Sequence, residues 1–149
     1  MTDRLTSRPI AGSNIEVGDR GPELTVENLS REDFVRYAGA SGDFNPIHYD
    51  EPYAKEAGNP SVFGQGMLTA GFVATMASDW LGLEYITEFE TRFQSQVFPG
   101  DTITVSGEIT SVDRDDEWCT VEADLEAVSN DGETAITGSV VARLPAVDS

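Results

Sequence analysis

An α+β fold, helices first and an antiparallel sheet after, is what the sequence predicts, and three observations carry the prediction. The most apolar helical stretch, Gly66 to Trp80, lies mid-chain. From Leu83 onward the pattern changes to period-two alternation, the signature of half-buried strands. Turn-forming clusters separate the alternating runs, so the strands follow one another as an antiparallel meander, not a parallel βαβ sheet.

Met1 to Gly21, rich in Gly, Ser, Arg and Asp, reads as a loose N-terminal segment, and residues 22–149 as a single domain. A short strand is expected around Leu24 to Val26. Ser30 stands three residues before Asp33 in capping-box spacing, and Phe34, Val35, Tyr37 and Ala38 give a helix one apolar face through Ala40. Gly42 and Pro46 exclude regular helix from Gly42 to Tyr49. A short helix from Glu51 to Ala57 ends at Gly58, Asn59 and Pro60.

Met67, Leu68, Phe72, Val73, Met76 and Trp80 fill the central helix, and Ala70, Gly71 and Ala74 would let a sheet approach it closely. Ile103, Val105 and Ile109 then alternate with polar residues, as do Cys119, Val121, Ala123, Leu125 and Ala127. Asp113 to Asp116 and Ser129 to Gly132 supply turns. Glu84 to Phe98 and Ala135 to Leu144 make flanking strands.

Bulk composition excludes several functions. Nine Lys and Arg against 27 Asp and Glu give a formal charge of −18, and Lys55 is the only lysine. Such a chain repels nucleic acid. The acids are spread along the sequence rather than gathered in a tail, which points to a halophilic surface, where molar salt shortens the Debye length to about 3 Å. No run reaches the roughly 18 apolar residues of a membrane span, and Met1 to Ile10 lacks a signal-peptide core, so a cytoplasmic protein is expected. Cys119 is the only cysteine, which leaves no intrachain disulfide and no Cys-based zinc site.

Two segments carry candidate chemistry. Within Tyr37 to His48, a carboxylate (Asp43), an amide (Asn45) and an imidazole (His48) fall in six positions. Pro46 fixes one backbone angle and Gly42 permits a conformation closed to most residues. A rigid loop holding an acid beside a histidine can grip one water and move its protons. The plainer alternative is a turn in which Asp and Asn bond nearby backbone, beside a structural histidine. In Phe63-Gly-Gln-Gly-Met-Leu-Thr69, Gly64 and Gly66 precede the apolar helix, where free N–H groups and the positive helix end suit an oxyanion. A glycine-rich turn that merely starts a helix is the alternative there.

Gly42-Asp43-Phe44-Asn45-Pro46-Ile47-His48, followed by Gly66-Met67-Leu68, resembles the signature of the MaoC-like dehydratases, which include the R-specific enoyl-CoA hydratases. The similarity is strong from Ser30 to Leu81 and extends weakly onward through Phe98-Pro-Gly-Asp101. It implies a single hot-dog domain, a long central helix wrapped by an antiparallel β-sheet, that works as a dimer with the acyl and pantetheine chains along the subunit interface. It makes Asp43 and His48 the catalytic pair, Asn45 an organiser of their loop, and the Gly66 N–H the oxyanion donor, with Gln65 and Met67 beside it as substrate-binding neighbours. Many relatives carry His before that glycine, so Gln65 is a departure.

The implied reaction is reversible hydration of a trans-2-enoyl thioester, on CoA or an acyl carrier, to an (R)-3-hydroxyacyl thioester, without metal or redox cofactor. Polyhydroxyalkanoate synthesis and fatty-acid metabolism are both open as pathways. Three alternatives stand beside it: a hot-dog thioesterase, a partner-dependent subunit of a heteromeric dehydratase, and an acidic interaction module.

Overall fold

The computed structural model describes residues 14–130 and 132–146. Helix α1 (Arg31–Ser41) begins where the capping box requires, with the Asp33 N–H donating to Ser30 Oγ and the Ser30 N–H to Asp33 Oδ2. It ends at Gly42, whose left-handed φ of 79° lets its N–H return to the Ala38 carbonyl. Of its expected apolar face, Phe34 and Ala38 are buried, while Val35 is turned to solvent. A short 3-10 turn, Pro46–His48, and helix α2 (Glu51–Glu56) follow. The central helix α3 runs Gly66–Leu81.

Among the described residues the sheet has five strands: β1 (Leu24–Val26), β2 (Ile86–Phe93), β3 (Ile103–Arg114), β4 (Trp118–Ser129) and β5 (Thr134–Pro145). All pairings are antiparallel, in the order β1-β3-β4-β5-β2. Only β3, β4 and β5 form the expected meander. β2 lies at the far edge on β5, not beside β3, because residues 94–102 carry the chain across the start of α3. There Val97 accepts the Gly64 N–H, and the Phe98–Asp101 turn docks on Leu29 through the Leu29 N–H to Asp101 and the Gly100 N–H to Leu29. That crossing also ends β2 at Phe93, short of the expected Phe98.

One face of the sheet buries Val105, Ile109, Val121, Leu125, Val140 and Leu144 against Val73, Met76 and Trp80 of α3. The close approach comes from the strand side, not from Gly71, which has nothing near it and faces solvent. A Cβ on Gly107 would lie 2.9 Å from the Trp80 ring, and one on Gly21 2.7 Å from it.

The expected loose segment divides. Met1 to Ser13 lies outside the described residues, but Asn14 to Gly21 runs along β3, with the Gly18 and Gly21 N–H groups bonded to Ile109 and Gly107, and Ile15 buried in the core. Polar composition hid this, because the strand edge supplies backbone partners that side-chain patterning does not register. No helix among the described residues is long and apolar enough to cross a membrane.

Candidate active site

The loop after α1 is tied by its own side chains. Ser41 Oγ donates to the Tyr37 carbonyl and accepts the Asp43 N–H at 3.1 Å. Asp43 Oδ1 accepts the Asn45 N–H at 3.3 Å, and Asn45 Oδ1 caps the 3-10 turn by accepting the Ile47 N–H at 3.1 Å. The turn-forming alternative therefore holds for Asn45 and for one oxygen of Asp43. The other oxygen, Oδ2, is left facing His48.

His48 is 8% exposed. Its Nδ1 lies 2.7 Å from the Phe63 carbonyl oxygen, and its ring meets the Phe63 ring edge-on at 5.2 Å. A carbonyl only accepts, so Nδ1 carries the proton and, in the neutral ring, Nε2 presents a lone pair. That Nε2 stands 3.6 Å from Asp43 Oδ2. The gap is too long for a direct hydrogen bond, and both atoms are acceptors when the carboxylate is ionised and the ring neutral. Two acceptors set so suit one water that donates a proton to each.

The second expected segment meets the first here. Gly66 is the first residue of α3, so its N–H and that of Met67 have no intrahelical acceptor and stand at the positive helix end. Asp43, Phe63, Gly66, Met67, Phe93 and Ile136 border one cavity of about 410 Å³. A larger hollow of about 580 Å³ lies on the other face of the sheet among charged side chains such as Arg20, Arg92 and Asp124. It is bordered by neither Asp43 nor the start of α3, so the smaller cavity is the candidate site. Among the described residues, no three His, Cys, Asp or Glu side chains are grouped to hold a metal ion.

The remaining expected site residues separate. Met67 is 60% exposed on the cavity rim. Gln65, expected beside the substrate, is instead buried at 1% exposure, and its Nε2 donates to the Phe34 carbonyl of α1 at 2.8 Å. It binds the helix carrying the Asp43 loop to the residue before Gly66, while its Oε1 is buried without a partner. Phe93 was not among the expected residues. A Cβ on Gly66 would lie 2.9 Å from its ring, so any side chain there would displace that ring. Only the placement of β2 at the edge exposes this, since a Phe in an alternating run reads as ordinary core.

The profile of the MaoC like domain family matches residues 15–131. An (R)-specific enoyl-CoA hydratase of Rhodospirillum rubrum is 28% identical over 124 residues, 81% of this chain and 83% of that protein. A mitochondrial 3-hydroxyacyl-[acyl-carrier-protein] dehydratase of Arabidopsis thaliana is 29% identical over 136 residues, 90% of this chain and 80% of its own. Among solved structures, the (R)-hydratase of Aeromonas caviae involved in PHA biosynthesis superposes with a TM-score of 0.77 at 26% identity, covering 89% of this chain and 98% of that one. The fold is the expected α+β hot-dog domain, one long helix wrapped by an antiparallel sheet.

Proposed function

Because this chain belongs to the MaoC-like domain family of hydratases and dehydratases, we propose that it reversibly hydrates trans-2-enoyl-CoA to (R)-3-hydroxyacyl-CoA, with Asp43 and His48 as its catalytic pair. The observation that carries this is the 3.6 Å gap between Asp43 Oδ2 and His48 Nε2, beside a cavity that Asp43 shares with the Gly66 helix end. The R configuration follows the named hydratases.

The thioester carbonyl accepts the Gly66 N–H, and the helix end stabilises charge developing on that oxygen. This draws electron density from the 2,3 double bond and leaves C3 electrophilic. A water donating to both Asp43 and His48 keeps a lone pair for C3. As the C3–O bond forms, Asp43 takes one water proton and the other stays on the new hydroxyl, held toward His48 Nε2. The proton gained by the pair passes to C2, completing the 3-hydroxyacyl thioester. Reversal of the same steps dehydrates it. Asn45 holds the loop, and the bond from His48 Nδ1 to Phe63 keeps Nε2 available as an acceptor.

A dimer suits this function. Among the described residues β2 is a sheet edge, carrying exposed Phe89 and Phe93, and a second copy would cover it and complete the wall of an otherwise open cavity. Purified protein assayed on crotonyl-CoA and longer enoyl-CoAs, at low and molar salt, tests the proposal. Loss of the enoyl absorbance with formation of the (R)-3-hydroxyacyl product is the expected result. Release of free CoA thiol without hydration would indicate a thioesterase instead, and no turnover at any salt would overturn the catalytic assignment.

A further inference from the structure

Phe93 ends β2, and its backbone is fixed on both sides: it pairs with Ile136 of β5, and the next residue's N–H donates to the Ala135 carbonyl at 2.8 Å. From this rigid base the ring is pressed onto Gly66. Three ring carbons stand 2.9 to 3.1 Å from where a Gly66 Cβ would be. The side chain is nevertheless 57% exposed and borders the cavity shared with Asp43 and Met67. A phenylalanine that touches a helix end and also borders a cavity does more than fill the core.

We infer that Phe93 is a positioning residue for the oxyanion donor, an inference that rests on the hydratase reading above. Residues 66 and 67 are the least restrained of α3, because the first turn of a helix has no preceding carbonyls to hold its N–H groups. The Gln65 side chain is spent on the Phe34 carbonyl and gives the N–H groups of the first turn no capping bond. The Phe93 ring supplies a further restraint by packing against Gly66, which is otherwise exposed. An oxyanion donor contributes only when it is already aimed where charge develops, so loosening it lowers the chemical step more than substrate binding.

The test is a double-mutant cycle on crotonyl-CoA, with light scattering and thermal melting on each variant. Phe93→Ala is expected to lower kcat at least about tenfold while KM moves less than about threefold, and Phe93→Tyr to stay close to wild type. Gly66→Ala, whose methyl runs into the ring, is expected to lose about a hundredfold in kcat. In Gly66→Ala/Phe93→Ala the methyl occupies space the ring has left, so activity should rise at least about fivefold above Gly66→Ala alone.

An unchanged kcat in folded Phe93→Ala, a loss confined to KM, or additive losses in the double variant would each overturn the inference while leaving the hydratase reading intact. So would a loss of activity that merely tracks dissociation of an oligomer. A wild-type protein without hydratase activity would remove the reading itself.

Discussion

Replacing Asp43 by Asn changes the chemistry of the site and little else. The side chain is about half exposed, and Asn can still accept the Asn45 N–H through the oxygen that occupies the Oδ1 position. The loop and its 3-10 turn should therefore survive, with the melting temperature within about 2 °C of wild type, a shift equal to less than about 1 kcal/mol in a chain of this length. On the His48 side an NH₂ group replaces Oδ2, 3.6 Å from Nε2. The base is lost, and a donor now points at the histidine lone pair and competes with the water. General-base catalysis contributes about 10² to 10⁴ in rate, or about 3 to 5 kcal/mol of barrier, so Asp43→Asn should retain less than about one hundredth of kcat. His48→Ala is the poorer probe. It leaves the Phe63 carbonyl without its 2.7 Å donor and opens a hole where an 8%-exposed ring sat, so activity and stability fall together. The assay is the decay of enoyl-CoA absorbance at pH 7, at about 0.1 M and above about 1 M salt, with a thermal melt of the same sample. A folded Asp43→Asn protein with more than about a tenth of wild-type kcat would refute the role given to this carboxylate.

On the outer face of the sheet Glu122, Asp124 and Glu126 share one strand face, with Glu108, itself ion-paired to Arg20 at 3.7 Å, opposite Asp124, so raising salt from about 0.1 to 1 M should relieve about 0.3 kcal/mol per close pair of uncompensated carboxylates. Several such pairs should raise the melting temperature by about 3 °C or more, and a flat melting temperature would remove the halophilic expectation. Gel filtration with light scattering at the salt that supports activity should give a mass above the 16.1 kDa of one chain; a fully active monomer would sink the dimer proposal. Burial pushes the Cys119 thiol up. It should therefore resist a thiol reagent at pH 8 in the native protein and react fully in denaturant; fast labelling of the native state would contradict its buried position. The Asp115 carboxyl is held below its usual range chiefly by the Trp118 N–H, then by that of Glu117, in the β3–β4 turn. Its folded-state value being depressed, its support is present at neutral pH and lost as pH falls through that value, so Asp115→Ala should lower the melting temperature at pH 7 more than at strongly acidic pH.

The helix starts, the central helix, the alternating strands and the Asp43–His48 loop were all legible in the sequence because each is written in neighbours a few residues apart. Ser30 and Asp33 cap one another, Asn45 caps its own turn, and period-two alternation marks β3 and β4 without reference to the rest of the chain. The expectation that nucleic acid is not a partner rests on long-range charge, which needs no fold to act. Tertiary structure decided what depends on partners far along the chain. It placed β2 against β5, since a crossing at residues 94–102 is invisible to local pattern. It turned Gln65 inward to Phe34, 31 residues away, and laid Phe93 on Gly66. It also set the 3.6 Å between Asp43 and His48, because the Phe63 carbonyl, 15 residues beyond, fixes which nitrogen faces the carboxylate. Residue types specify what a site can do, but only the packing of distant segments sets the distances at which it can do it.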